Sequence, residues 1–126
     1  MQEAVVILIV EDEPIILHGM QDALEGGGYT TVLATNGDDA LAMLDSRHHD
    51  LTGLITDIRI GSGPAGWDVA RHARELKPDI AVVYVSGDSA EAWPSEGVPH
   101  SVMISKPFAE AQLVTAISNL ITGTAA

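Results

Sequence analysis

Four aliphatic runs in this chain each stop at a reactive polar group, and that pattern restricts the fold more than any other property. Val5-Val6-Ile7-Leu8-Ile9-Val10 leads into Glu11-Asp12-Glu13, and Leu54-Ile55-Thr56 leads into Asp57. Ala81-Val82-Val83-Tyr84-Val85 leads into Ser86-Gly87-Asp88, and Val102-Met103-Ile104 leads into Ser105-Lys106-Pro107. Continuous apolar runs of this length fit strands of a parallel sheet covered on both faces. Ligands of open α/β sheets bind beyond the carboxyl ends of such strands. The four ends offer acids, one hydroxyl and one ammonium, which suits a metal and phosphoryl site.

Between the runs the periodicity becomes helical. Pro14 fits a first helical turn, and Ile16, Leu17, Met20 and Leu24 recur at helical spacing until Gly26-Gly27-Gly28. Residues 31–34 read as a short strand and Asn36-Gly37 as a turn, before a second helix marked by Ala40, Leu41 and Leu44 that ends near Arg47. Trp67, Ala70, Ala73 and Leu76 mark a third helix that stops before Pro78. The pattern weakens over residues 89–97, where Pro94 predicts a short or broken helix. Leu113, Ala116, Ile117 and Leu120 line the last helix, with residues 122–126 expected as a frayed tail.

Five β–α units of this kind predict an α/β, flavodoxin-like (βα)5 three-layer sandwich. The most aliphatic strands belong at the centre, which gives a five-stranded parallel sheet of order 2-1-3-4-5. One domain over residues 1–121 and a tail over 122–126 are expected. This order makes the acidic turn after the first strand a neighbour of Asp57.

Composition removes several alternatives. A chain of 126 residues, 46% of them apolar, can bury a core and fold alone. It has no cysteine, which rules out disulfides and thiolate metal sites. Its apolar runs are too short for a membrane span, and the start lacks the pattern of a signal peptide, so a cytoplasmic protein is expected. The net charge of −12 arises from 18 acids against six Lys and Arg, and the basic residues form no cluster. Direct nucleic-acid binding is therefore not expected.

Glu11, Asp12 and Asp57 brought together would repel one another unless a cation held them. Oxygen ligands with no Cys or His nearby select a hard cation such as Mg²⁺, which shares its sphere with phosphate. A carboxylate beside it can act as nucleophile toward phosphorus, while Lys106 and Ser86 can stabilise the transferring group.

With these residues in these positions the chain resembles a response-regulator receiver domain of two-component signalling along essentially its whole length. The resemblance rests on Glu11-Asp12, Asp57, Ser86 and Lys106-Pro107-Phe108, each at its own strand end. It implies that Asp57 accepts a phosphoryl group from a phosphohistidine on a sensor kinase or histidine phosphotransfer protein. It implies that Asp12 and Asp57 ligate Mg²⁺ with the backbone carbonyl of Arg59, and that Glu11 acts directly or through water. Ser86 would close on a phosphoryl oxygen, Lys106 would pair with it, and the Lys106–Pro107 bond would be cis. The domain would be a signalling switch rather than an enzyme, catalysing its own phosphorylation and slow dephosphorylation. Phosphorylation would shift contacts with a downstream protein through the last helices and the fifth strand.

Three positions depart from the family pattern. Met103 stands where an aromatic residue is usual, three residues before the lysine. Gly61 replaces a customary proline in a slightly longer loop after Asp57, and Pro94 interrupts the region of the fourth helix. A variant switch through that remodelled segment is the expectation. Glu13 reads as a helix-start charge, Asp88 as a turn or cap residue, and Arg59 as a surface residue supplying only its carbonyl. His48-His49 reads as a solvated pair, and Trp67 and Trp93 as packing residues, Trp93 bordering the output surface.

Rival functions fit less well. A Mg²⁺-dependent aspartyl-phosphate phosphatase would place an acid two residues after the nucleophile, and Arg59 occupies that position. A flavin-binding protein would not put Glu11-Asp12-Glu13-Pro14 in its phosphate loop. A degenerate receiver would lack one of the chemical residues, and none is missing. The expectation is a stand-alone response regulator; the alternative is a receiver cut from a longer regulator with an output domain.

Overall fold

The computed structural model describes residues 4–123. Five strands, β1 (Val6–Val10), β2 (Thr30–Ala34), β3 (Leu51–Asp57), β4 (Ala81–Ser86) and β5 (Ser101–Ser105), alternate with helices. The helices are α1 (Pro14–Gly26), α2 (Gly37–Arg47), α3 (Gly66–Leu76), α4 (Trp93–Glu96) and α5 (Glu110–Thr122). All neighbouring strands are parallel and the sheet order is β2-β1-β3-β4-β5, as expected.

Burial explains the order. Every residue of β1 and β4 is buried, and β3 is buried except at Thr52, whereas β2 and β5 are partly exposed at the edges. Successive side chains point to opposite faces of the sheet, so two separate cores form. Leu8, Val10, Leu54, Val82 and Tyr84 pack with Leu44, Val69 and Ala73 from α2 and α3. Ile7, Ile9, Ile55, Val83 and Val85 pack with Leu17, Met20, Leu24, Leu113 and Ile117 from α1 and α5. Each fully buried Leu or Ile contributes about 1.5–3 kcal/mol, so these two layers dominate the stability.

Local chemistry sets most boundaries where the sequence places them. Pro14 opens α1, and Gly28, at φ +95°, turns the chain out of it. Three boundaries differ. Asn36 is an N-cap, its side chain accepting the Asp39 N–H at 2.8 Å, so Gly37 is helical rather than part of a turn. Strand β3 starts at Leu51, and its Gly53 leaves room for Ile7 Cδ1 and Ile117 Cδ1, which would lie 2.8 and 3.0 Å from a Cβ there. Helix α5 includes Thr122 and ends at Gly123 in the left-handed conformation, while positions 124–126 of the expected tail lie outside the described residues.

The loop after β3 is held close to the sheet. Gly66 donates its N–H to the Ile58 carbonyl at 2.8 Å, and a Cβ on Gly66 would stand 2.1 Å from the Asp57 carbonyl oxygen. Two backbones therefore meet beneath the loop. Gly66→Ala is expected to destabilise the domain by about 1–3 kcal/mol through overpacking. Gly26→Ala, with nothing within 4 Å of the added carbon, should gain about 0.4–1 kcal/mol. Urea unfolding of both variants checks the contrast.

Candidate functional site

The strand register brings the four ends level. Val10 pairs with Thr56, so Glu11 and Asp57 emerge side by side. Asp57 pairs with Val85 and Ser86 with Ser105, which puts Lys106 beside the end of β4. The Lys106 N–H donates to the Ser86 carbonyl at 2.8 Å and fixes the backbone there. The following Lys106–Pro107 bond is cis.

Glu11, Asp12 and Asp57 each direct a carboxylate oxygen into one cluster in which the oxygens lie within 4.8 Å of one another. Lys106 Nζ donates to Glu11 Oε1 at 2.9 Å and to Asp57 Oδ2 at 2.8 Å. Asp57 Oδ1 accepts the Ile58 N–H at 2.7 Å, and Glu11 Oε2 accepts the Glu13 N–H at 3.1 Å. Glu11 is fully buried and Asp57 is 7% exposed, while Asp12 faces solvent. The Asp57 carboxylate is thus oriented on both oxygens.

The electrostatics are unbalanced. Burial pushes the Glu11 carboxyl above its ordinary value of 4.5, against the opposing hydrogen bonds from Lys106 and Glu13. Burial works against the Lys106 charge, but its bonds to Asp57 and Glu11 prevail and raise its pKa. Three carboxylates against one ammonium leave two negative charges uncompensated at the cluster. An oxygen-only donor set with that charge, partly buried and open at Asp12, fits a hard divalent cation.

Ser86 is buried, and its hydroxyl oxygen accepts the N–H groups of Asp88 at 3.2 Å and Ser89 at 2.8 Å. Among the described residues no hydrogen bond joins it to Asp57, so it belongs to the loop after β4 in this conformation. Asp88 does more than shape a turn. One carboxylate oxygen accepts the Ser89 hydroxyl at 2.9 Å, and the other pairs with Arg59 Nε at 3.2 Å. The Arg59 side chain, read from sequence as a bystander, therefore links the loops after β3 and β4. Two residues on separate loops, with no periodic relation, left no signal for that pair.

The side chains of the remaining candidates stay apart from the cluster. Glu13 is the N-cap residue of α1 and makes no side-chain cap bond. His48 is half-buried rather than solvated, its Nδ1 lying 3.0 Å from the Leu44 carbonyl and its ring 3.9 Å from that of His49. Trp67 packs on Tyr84 with ring centroids 4.8 Å apart, and Trp93 Nε1 donates to Ser101 Oγ at 3.0 Å. Met103 is half-buried against the core on the α3 side of the sheet.

The raised Glu11 pKa has a definite sign for stability. A carboxyl whose folded pKa exceeds its unfolded one contributes stability below the unfolded value and loses it as pH rises through the folded value. In metal-free buffer, Glu11→Gln should therefore gain stability relative to the parent as pH rises from about 4 toward neutrality. Parallel urea titrations across that range measure the difference.

Comparison with known proteins agrees with this geometry. The profile of the response regulator receiver domain matches residues 7–118. The response regulator receiver protein CpdR of Brucella abortus (strain 2308) is 32% identical over 117 residues, covering 91% of this chain and 95% of CpdR. Sensor kinase CckA of the same organism is 28% identical over 120 residues, and the chain spans only 12% of CckA's length. A crystal structure of a response regulator receiver protein from Sinorhizobium medicae WSM419 superposes with a TM-score of 0.93 at 42% identity, covering 98% of both chains. Level strand ends, a three-carboxylate cluster bridged by a lysine and a profile match over most of the length lead to one assignment: this chain belongs to the response regulator receiver domain family of two-component signalling.

Proposed function

We propose that the domain accepts a phosphoryl group on Asp57 from a phosphohistidine of a sensor kinase or histidine phosphotransfer protein in the cytoplasm. The observation that carries this reading is the preset Asp57 carboxylate, held by Lys106 at 2.8 Å and by the Ile58 N–H at 2.7 Å. An Asp57 oxygen attacks phosphorus, an O–P bond forms as the P–N bond breaks, and the leaving imidazole takes a proton from solvent. Lys106, already between Glu11 and Asp57, is positioned to hold a phosphoryl oxygen, and the Ser86 hydroxyl supplies a further donor. Water later cleaves the acyl phosphate and restores the carboxylate.

Glu11, Asp12 and Asp57, with the Arg59 carbonyl, would hold Mg²⁺. Bound there, the cation neutralises charge that develops on the transferring phosphoryl oxygens. The chain's own part is to keep the nucleophile oriented, through the Lys106 and Ile58 hydrogen bonds, and the lysine charged, in keeping with its raised pKa.

Among the described residues Ile15 is the one exposed large hydrophobic, 87% exposed on the first turn of α1. It follows Asp12 by three residues on the helix that leaves the acidic cluster, so a protein donor approaching Asp57 would pass beside it. The downstream partner is a protein that prefers one of two surface arrangements, since equal affinity for both would transmit nothing.

Incubation with acetyl phosphate and Mg²⁺ should yield one phosphoryl adduct by intact mass, absent in Asp57→Ala and absent without the metal. Mg²⁺ at a hundredfold its dissociation constant should stabilise the fold by about 2.7 kcal/mol, an effect lost in Asp12→Asn. No adduct and no Mg²⁺ stabilisation would leave the domain as a phosphorylation-independent docking module. Ile15→Ala should slow transfer from a phosphohistidine protein while leaving the acetyl phosphate reaction unchanged, as paired phosphotransfer assays would measure.

A further inference from the structure

The loop that carries Arg59 away from Asp57 is closed at its base and pinned at its far end. At the base, the Gly66 N–H meets the Ile58 carbonyl at 2.8 Å, which encloses residues 59–65. Ile58 and Ile60 are buried, 3% and 1% exposed, in the core shared with α2 and α3, and Arg59 between them faces solvent. The Arg59 side chain is drawn off toward Asp88, so the two isoleucines set the backbone between them. Beyond them the chain is loosely held. Gly61 and Gly63 have φ of +79° and +97°, and residues 61–63 are exposed. Among the described residues, none of residues 60–64 makes a hydrogen bond.

The far pin is steric. Gly37 is buried at the start of α2, and a Cβ there would stand 2.2 Å from the Pro64 carbonyl oxygen and 3.0 Å from the Pro64 Cβ. Next to it, a Cβ on Gly63 would lie 3.1 Å from Asp38 Oδ2. The tip therefore rests on α2 with backbone against backbone, and only a residue without a side chain fits beneath it. Pro64 leads through Ala65 into Gly66, whose own Cβ position is 2.1 Å from the Asp57 carbonyl oxygen. Two close glycine contacts thus hold the loop between α2 and the acidic cluster.

Mg²⁺ requires near-octahedral ligands at about 2.0–2.1 Å, whereas Ca²⁺ accepts irregular shells at about 2.3–2.6 Å. A loop fixed at both ends can meet the stricter demand. We infer that Gly37 is a positioning residue for the cation site: by seating Pro64 it holds the Arg59 backbone in place, and so favours Mg²⁺ over Ca²⁺. The inference rests on the reading that Glu11, Asp12 and Asp57 hold a cation together with the Arg59 carbonyl. A side chain at position 37 would lift Pro64, strain the Gly66–Ile58 closure and move the peptide after Ile58. The carboxylates, which leave the ends of β1 and β3, would stay where they are.

Backbone NMR of the metal-free protein, followed by separate titrations with MgCl₂ and CaCl₂, tests this. In Gly37→Ala the amide shifts of Ile58 and Gly66 should move while those of β4 stay. Its Mg²⁺ affinity should fall about tenfold, the lower end of what losing a supporting partner costs a metal site. Ca²⁺ affinity should fall by a smaller factor, narrowing the preference for Mg²⁺, a ratio that general loosening of the fold would not change. Pro64→Gly releases the pin without adding volume; it should weaken Mg²⁺ in the same direction and serves if Gly37→Ala does not fold. A glycine inserted between Ser62 and Gly63 lengthens only the exposed tip and should leave both affinities unchanged. Unaltered Mg²⁺ affinity in either folded variant, equal losses for both cations, or an insertion as damaging as the substitutions overturns the inference. A parent protein that binds neither cation overturns the cation reading of the site instead, and the Ile58 and Gly66 shifts of Gly37→Ala still decide whether the pin reaches the cluster.

Discussion

Lys106 sets its ammonium between Glu11 and Asp57, and this contact allows three carboxylates to share one end of the sheet. Without it, a fully buried Glu11 beside Asp57 would be forced toward its protonated form. Removing one partner of a buried ionic contact costs far more than an exposed pair contributes, because the remaining charge is left without a counterpart. Lys106 therefore connects the last strand to the first and third electrostatically, as the sheet connects them by hydrogen bonds. The compensation is incomplete, and the remaining negative charge leaves the cluster suited to a cation.

The loops carry the rest of the organisation. Gly66 lets the β3–α3 loop lie against the Asp57 carbonyl, so that the loop entering α3 is anchored directly behind Asp57. Arg59 and Asp88 tie this loop to the one after β4, although both are largely exposed and the pair contributes little to stability. The region after β4 shows the opposite economy. Pro94 limits α4 to a single turn, and α3 compensates by extending Arg71 and Arg74 to the chain that follows. There α4 keeps only Trp93 packed against the core, and hydrogen bonds from Arg71 and Trp93 supply its other ties.

Much of this was legible in advance. Continuous aliphatic runs identified β1, β4 and the later part of β3, because central parallel strands must be apolar on both faces. Pro94 announced the short α4, since proline removes a donor and blocks helix continuation. Where short-range chemistry competed, the reading slipped. Asn36-Gly37 has the composition of a turn, yet the Asn36 side chain caps α2. Thr52 and Gly53 interrupt the apolar run, and β3 nevertheless starts at Leu51 because its neighbours complete the ladder.

The sequence by itself determined the alternation of strands and helices, the residues at the strand ends and the character of the site as an oxygen-rich pocket with one lysine. These follow from local periodicity and side-chain chemistry, which any short window of the chain contains. Only the tertiary structure decided that Lys106 bridges Glu11 and Asp57, that Ser86 faces the Asp88 and Ser89 amides, and that Arg59 pairs with Asp88. Those contacts join residues whose relative positions depend on strand register and on the competition of several acceptors for each donor. Register is a property of the assembled sheet, and no single segment specifies it.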